Sequence, residues 1–111
     1  MGQLPRDRRI TTRREIAYLL GGRRVTGPAL ELYWRPAARS RSRATCITPK
    51  FGRTAVRRNR LRRRIKELMR ATLLARPEPL DYLVRARPAA YDLSHAGLSS
   101  ALADLAERVE S

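Results

Sequence analysis

An arginine-rich segment in the middle of the chain carries the residues best suited to chemistry. Eight of the fourteen residues from Arg53 to Lys66 are basic. A guanidinium group is planar, stays charged at neutral pH, makes paired hydrogen bonds to a phosphate and stacks on a nucleobase. The segment therefore predicts a surface that binds a polyanion, and its chemistry is the recognition of phosphates.

The residue types that catalyse most reactions are scarce. Cys46 is the only cysteine and His95 the only histidine, which excludes an internal disulfide, a cysteine-based zinc cluster and most histidine-dependent catalytic sites. Cys46 is expected to be a small buried side chain, and His95 to lie at the surface of the last helix. Asp81 has no acidic neighbour that would complete a two-metal nuclease site. We therefore expect no autonomous active site.

Positive charge is concentrated in the first two thirds of the chain. The 111 residues include 25 Lys and Arg against 10 Asp and Glu, for a formal net charge of +15. Residues 1–76 hold 22 basic and 4 acidic side chains, whereas residues 77–111 hold 3 basic and 6 acidic side chains. This asymmetry favours a polyanion-binding surface. No apolar run approaches the ~20 residues of a membrane span, and no secretory signal is visible, so a cytoplasmic protein is expected.

Hydrophobic periodicity and capping residues predict three helices and three strands. Thr12 and Glu15 have the spacing of a capping box at the start of a helix that Gly21-Gly22 ends. The last helix is expected to begin after a cap at Asp92 or Ser94. The predicted elements are a helix over 13–20, strands over 29–34 and 43–48, a helix over 55–74, a strand over 80–87 and a helix that extends towards residue 109.

The helix over 55–74 has two faces of opposite character. Its apolar stripe consists of Leu61, Ile65, Leu68, Thr72 and Leu73, with Met69 beside it. The opposite side carries Asn59, Arg60, Arg63, Lys66 and Arg70. Like charges three and four residues apart repel, so docking of the stripe on a sheet and a polyanion on the other side must stabilise this helix. The elements together predict an α+β sandwich, one domain over 1–111, with residues 1–8 flexible.

Among the aromatic residues, Tyr33 is the strongest candidate for a position outside the core. Leu30, Leu32 and Trp34 share one face of their predicted strand, so Tyr33 lies on the other face. If that face is exposed, the phenol ring can stack on an unpaired base, as in many RNA-binding sheets. The alternative interpretation is a half-buried strand residue with no contact to RNA.

The segment from Arg57 to Glu67 resembles the Arg-Asn-Arg motif of the bacterial ribonuclease P protein subunit, the small basic partner of a catalytic RNA. Three further stretches agree with that family in order and spacing: 12–22 with its first helix, 29–34 with its aromatic-bearing strand, and 81–88 with the strand after the motif helix. The likeness covers roughly residues 8–109. Ile16 and Leu20 occupy positions where the family usually has aromatic residues that face a cleft.

The resemblance implies both a fold and a function. The fold is an α-β-β-β-α-β-α sandwich with a small mixed sheet and a left-handed βαβ crossover, also found in a ribosomal protein domain. The function is that of the protein subunit of ribonuclease P, which removes the 5′ leader from precursor tRNA. The catalytic RNA and its Mg²⁺ ions perform the hydrolysis, with no metal site made by protein alone. The partners are then the catalytic RNA and precursor tRNA, with no membrane and no small-molecule substrate.

The resemblance also implies site residues, none of them catalytic. The expected RNA-binding set is Arg57, Arg58, Asn59, Arg60, Arg62, Arg63 and Lys66, in which Asn59 either caps the helix or bonds a base or sugar edge. The expected leader cleft consists of Tyr33, Lys50 and Phe51. Two alternatives stay open: a ribosomal or general RNA-binding protein without a role in tRNA processing, and an autonomous nuclease, which the lack of paired carboxylates disfavours.

Overall fold

A mixed sheet lies at the centre of the molecule, with helices on both of its faces. The computed structural model describes residues 4–109. Its helices and strands are α1 (Arg13–Leu20), β1 (Arg23–Thr26), β2 (Leu30–Pro36), β3 (Arg43–Ile47), α2 (Ala55–Thr72), β4 (Leu80–Ala86) and α3 (His95–Glu107). Short 3-10 turns lie at Arg6–Arg8 and Pro88–Asp92. The predicted α+β class and the order α-β-β-β-α-β-α are confirmed.

The strands are arranged in the spatial order β1-β2-β4-β3. β2 pairs antiparallel with both β1 and β4, whereas β3 and β4 are parallel. Parallel neighbours need a long crossover connection, and α2 provides it between β3 and β4. The mixed sheet confirms the prediction, and the left hand of the crossover stays a prediction from the resemblance. Within residues 4–109, no helix is long and apolar enough to cross a membrane.

Local signals placed the ends of the predicted elements within two residues of those observed. The Thr12 hydroxyl accepts a hydrogen bond from the Glu15 amide at 3.2 Å, which confirms the cap of α1. Ser94 caps α3 by accepting from the Gly97 amide at 3.0 Å, so Ser94 and not Asp92 is the cap. The residue pattern alone did not predict β1, because its side chains are exposed apart from a half-buried Val25 and show no apolar alternation.

The main hydrophobic core lies between one face of the sheet and helices α2 and α3. Leu32 and Trp34 of β2 and Val84 of β4 belong to it, which confirms the core position expected for Trp34. The apolar stripe of α2 packs there through Leu61, Ile65, Leu68, Met69 and Leu73, each less than one tenth exposed. Thr72 is half-buried at the margin of the stripe. Cys46 is buried in the same core, as expected.

Replacing Leu68 with Ala should lower the free energy of unfolding by roughly 2–5 kcal/mol, since it removes buried methyl groups from a packed core. Denaturant unfolding followed by the fluorescence of Trp34 measures the change. Arg70→Ala, on the exposed side of the same helix, is the control and should change stability little. Equal losses in the two variants would show that the faces of α2 are assigned the wrong way round.

A second, smaller core lies on the other face of the sheet, under α1. It contains Ile10, Leu19, Tyr33 and Leu83, with Ile16 of α1 half-buried beside them. The Ile10 amide donates to the carbonyl oxygen of Ala44 in β3 at 3.0 Å. Helix α1 and the residues before it therefore cover a sheet face that strand alternation alone would leave open.

The N-terminal residues that the structure describes are packed against the rest of the protein. Leu4 is 2% exposed and belongs to the main core. The Arg9 Nε donates to the carbonyl oxygen of Leu4 at 2.7 Å, and residues 6–8 form a 3-10 turn. Residues 4–8 thus have defined contacts with the rest of the protein, residues 1–3 lie outside the described part of the chain, and the flexibility of residues 1–8 stays a prediction.

Arg43 holds α1 on the sheet through a buried cluster of ion pairs. Its side chain is 3% exposed, and its Nη2 donates to Glu15 Oε2 of α1 and, at 3.1 Å, to Asp81 Oδ2 of β4. Asp81 Oδ2 also accepts from the Ala38 amide at 3.4 Å. The hydrogen bond from Arg43 lowers the pKa of Glu15. Asp81 is thus an internal partner of an arginine.

Candidate nucleic-acid interface

The basic helix α2 begins at a well-defined cap. The Thr54 hydroxyl accepts a hydrogen bond from the Arg57 amide at 3.2 Å. Asn59 lies in the second turn, so the alternative in which Asn59 caps the helix is wrong. Its side chain is exposed, and its Oδ1 accepts from Arg58 Nη2 at 3.4 Å. Asn59 therefore presents its amide at the surface, beside a guanidinium group.

The expected RNA-binding residues lie around the part of α2 that the core does not cover. Four are exposed: Arg57, Asn59, Arg60 and Arg63. Three are half-buried: Arg58, Arg62 and Lys66. The first turn of α2 has no acidic residue, so the positive end of the helix dipole adds to the arginine charges. The structure brings all seven side chains onto one helix, with Asn59, Arg60 and Arg63 opposite its apolar stripe and the half-buried Arg58, Arg62 and Lys66 beside or in line with the stripe.

The loop before α2 is fixed by Tyr91, a residue that sequence analysis did not assign to the site. The Tyr91 hydroxyl donates to the carbonyl oxygen of Pro49 at 2.6 Å. The Phe51 ring meets the Tyr91 ring edge-on, with centroids 6.4 Å apart. Arg53 and Arg57 lie over Tyr91, at 4.9 and 5.8 Å from the ring centroid. Nothing in the local sequence of Tyr91 indicates this role, because the contacts come from distant parts of the chain.

Lys50 and Phe51 are both exposed at the tip of this loop. Phe51 is 42% exposed and has a positive φ of 48°, followed by Gly52 with φ of 83°. The left-handed backbone makes a tight turn just before α2. Both side chains are therefore accessible to a ligand and lie close to the positive end of α2.

A groove runs between the N-terminal part of the chain and α2, and we call it the α1–α2 groove. Its cavity has a volume of about 290 Å³. Ile10, Ile16 and Thr45 line one part of it, and Arg62 and Lys66 of α2 line another. A groove that combines apolar and cationic walls suits a single-stranded nucleic acid, whose bases are apolar on their faces and whose phosphates are anionic.

Tyr33 does not line this groove. It lies on the sheet face opposite Trp34, as alternation predicted, but its expected exposure is wrong because α1 covers it and leaves it 3% exposed. Its hydroxyl donates to Glu31 Oε1 at 3.3 Å and accepts from Arg85 Nη2 at 2.9 Å. Burial is the largest single influence on the pKa of Glu31 and raises it, but the hydrogen bonds from Arg85 and Tyr33 and the positive charges of Arg85 and Arg24 together leave that pKa lowered.

The three residues expected to form a leader cleft are therefore not brought together. Lys50 and Phe51 lie in the loop held by Tyr91, whereas Tyr33 packs beneath α1. The α1–α2 groove is formed instead by Arg62 and Lys66, which belong to the expected RNA-binding set, by Ile16, and by residues that were assigned to no site, such as Ile10 and Thr45. Within residues 4–109, no three His, Cys, Asp or Glu side chains are grouped as metal ligands.

Comparisons with known proteins agree on one family. The family model for ribonuclease P matches residues 4–110. The ribonuclease P protein component of Synechococcus elongatus is 39% identical over 115 residues, covering 96% of this chain and 93% of that protein. The component of Xylella fastidiosa is 33% identical over 108 residues, covering 96% of this chain and 79% of that protein.

Solved structures show the same fold at lower identity. The ribonuclease P protein of Staphylococcus aureus has a TM-score of 0.82 at 20% identity, over 90% of this chain and 93% of that chain. The ribonuclease P protein of Thermotoga maritima has a TM-score of 0.80 at 21% identity, over 93% of this chain and 98% of that chain.

The fold and the basic helix define a small α+β protein whose arginine-rich surface has the character of an RNA-binding site. More specifically, the chain belongs to the ribonuclease P protein family, whose members are subunits of the endoribonuclease that matures the 5′ ends of tRNA. Membership in this family confirms the resemblance from which the fold and the function were predicted.

Proposed function

We propose that this chain binds the catalytic RNA of ribonuclease P and the single-stranded 5′ leader of precursor tRNA. The observation that carries the proposal is the arginine surface of α2, which lies beside a groove with both apolar and cationic walls. Such a surface neutralises phosphates on one side and accommodates bases on the other. Since its relatives are bacterial, we place the complex in the cytoplasm.

The residues divide into two groups in this proposal. Arg57, Arg60 and Arg63, which are exposed, contact phosphates of the catalytic RNA, and Asn59 bonds a base or sugar edge. Arg62 and Lys66 hold the leader in the α1–α2 groove, with Lys50 and Phe51 as further leader contacts. Tyr33 supports the leader cleft from below by holding α1 in place, because its buried ring cannot stack on a base.

The RNA, rather than the protein, holds the catalytic Mg²⁺ in this proposal. Protein sites for Mg²⁺ use carboxylate oxygens, and here Glu15, Glu31 and Asp81 are paired with arginines. The proposed contribution of the protein is electrostatic: its arginines offset the repulsion between the phosphates of leader and catalytic RNA. Metal ions then bind the RNA at lower concentration, and their chemistry is the activation of water for hydrolysis.

Cleavage of precursor tRNA at low Mg²⁺ tests this proposal directly. Catalytic RNA alone, protein alone and both together are compared at equal concentrations. The proposal expects efficient cleavage only when both are present, with a 5′ leader as product. Cleavage by the protein alone would show an autonomous nuclease. No stimulation of the RNA, despite its binding to the protein, would support a general RNA-binding protein instead.

A further inference from the structure

A second groove lies on the other flank of α1. Its cavity has a volume of about 250 Å³, and Arg14 and Tyr18 of α1 face Arg35 and Pro36 of β2 across it. It shares a single lining residue, Ile10, with the α1–α2 groove. Tyr18 is two residues after Ile16, which corresponds to about 200° around a helix. The two grooves are therefore on different sides of α1.

Tyr18 and Arg35 form a stacked pair at this second groove. The Arg35 guanidinium carbon lies 3.8 Å from the centroid of the Tyr18 ring. The Arg35 Nε also donates to the main-chain carbonyl oxygen of Tyr18 at 2.6 Å, which fixes the guanidinium group in position. Tyr18 is nevertheless 62% exposed, so much of the ring stays accessible to solvent. We call this pair the Tyr18–Arg35 platform.

Gly21 and Gly22 make room for this platform. Neither has a positive φ, so the backbone conformation does not itself require glycine at these positions. A Cβ on Gly22 would lie 2.7 Å from Arg35 Cγ and 2.7 Å from the carbonyl oxygen of Trp34. A Cβ on Gly21 would lie 3.2 Å from Arg35 Nη2. The glycine pair thus allows Arg35 to pass close to the end of α1 and reach Tyr18.

The charges around the platform favour an anionic partner. Arg14 and Arg39 are exposed, and Arg39 is near enough to α1 to lower the pKa of Glu15 after the larger effect of Arg43. The carboxylates of Glu15 and Asp81 are already paired with Arg43. An aromatic ring stacked with a guanidinium group, surrounded by free positive charge, suits an unpaired nucleobase with its phosphates. A cavity of this volume accommodates one base.

We propose that the Tyr18–Arg35 platform stacks one unpaired base of the catalytic RNA, whose neighbouring phosphates contact Arg14 and Arg39. The inference rests on the proposed function, which places the leader in the α1–α2 groove. Since a helix with its side chains is about 10 Å across, a leader in that groove is separated from the platform by α1. A leader bound in that groove does not reach the platform, so we assign the platform to the catalytic RNA.

Substitutions of Tyr18 test the platform through binding to catalytic RNA in the absence of tRNA. Tyr18→Leu keeps an apolar side chain but removes the ring, and it should weaken binding about five- to hundredfold. Tyr18→Phe keeps the ring and should bind within about twofold of wild type. Because Tyr18 is exposed, thermal unfolding should be nearly the same in all three proteins.

A series of precursor tRNAs with shortened leaders separates the two RNA sources. In the assembled holoenzyme, saturated with protein, Tyr18→Leu should show the wild-type dependence of affinity on leader length. A loss of affinity that grows with leader length would show that the platform contacts the leader, and it would overturn the inference. Wild-type affinity of Tyr18→Leu for catalytic RNA would also overturn it. If wild type itself fails to bind catalytic RNA, the proposed function fails, which is a distinct result.

Discussion

Replacing Arg43 with Ala is expected to lower the free energy of unfolding by about 3–5 kcal/mol, because it leaves the carboxylates of Glu15 and Asp81 without their partner. The Asp81 side chain is only 10% exposed, so water can replace the lost guanidinium group there only in part. The loss also weakens the attachment of α1 to the sheet, where the packing of Leu19 and the hydrogen bond from Arg35 to Tyr18 remain. Urea unfolding followed by circular dichroism at neutral pH measures the effect.

The free energy of unfolding of the same variant should also depend on pH differently from that of wild type. In the folded protein the hydrogen bond from Arg43 lowers the pKa of Glu15 below its unfolded value, which is about 4.3. The pair therefore stabilises the fold fully above the unfolded pKa, and this stabilisation is lost as pH falls through the folded pKa. The stability difference between wild type and Arg43→Ala should thus shrink as pH falls from 7 to about 3.

A triple variant provides the control for this prediction. Arg43→Met combined with Glu15→Gln and Asp81→Asn removes every charge of the cluster, and it should recover part of the stability lost in Arg43→Ala. A difference that stays constant between pH 7 and about pH 3 would contradict the electrostatic explanation. It would show that Arg43 acts through packing of its aliphatic stem alone.

The double replacement of Arg60 and Arg63 with Ala is expected to weaken binding to catalytic RNA about ten- to a hundredfold at ~0.1 M salt. Each phosphate contact that is lost should reduce the slope of log K against log salt by about 0.7 to 1. Stability should be unchanged or slightly higher, because both side chains are exposed and repel their neighbours on α2. Binding titrations over a range of salt concentrations measure both quantities.

Arg87→Ala combined with Arg108→Ala is the matched control, since it removes the same charge from exposed positions outside α2. These two side chains donate to the carbonyl oxygens of Gly27 and Thr26, at 3.3 Å each, far from the basic helix along the chain. The control should reduce affinity much less than the α2 variant. Equal losses would mean that net charge, and not the surface of α2, determines RNA binding.

The sequence predicted the elements well because their signals are local. A cap such as Thr12 or Ser94 and the stripe of α2 act within one or two turns of the chain, so spacing alone reveals them. The two faces of α2 were likewise predictable, since a 3.6-residue period separates its apolar from its basic side chains. Strand β1 was not predicted from the residue pattern, because it forms by pairing with β2 and has no apolar pattern of its own.

The parts of the site that depend on tertiary contacts could not be predicted. Alternation placed Tyr33 on the correct face of β2, but only the position of α1 decides whether that face is open. Tyr91 joins Pro49, Phe51 and Arg57 across about forty residues of sequence, and no local pattern encodes such contacts. The grooves beside α1 are formed by residues from several elements in the same way.

The arginines of this protein differ in whether lysine could take their place. Arg43 bridges two carboxylates, Arg85 joins Glu31 to Tyr33, and Arg76 donates to the carbonyl oxygen of Ala106 at 2.7 Å. Each of these binds a partner inside the fold, where a guanidinium group is easier to bury than an ammonium group because it is more weakly hydrated. In the proposed function, Arg60 and Arg63 need only present charge to a phosphate. A lysine-rich chain with this same fold should therefore keep arginine at positions 43, 76 and 85 while exchanging it freely along the outer side of α2.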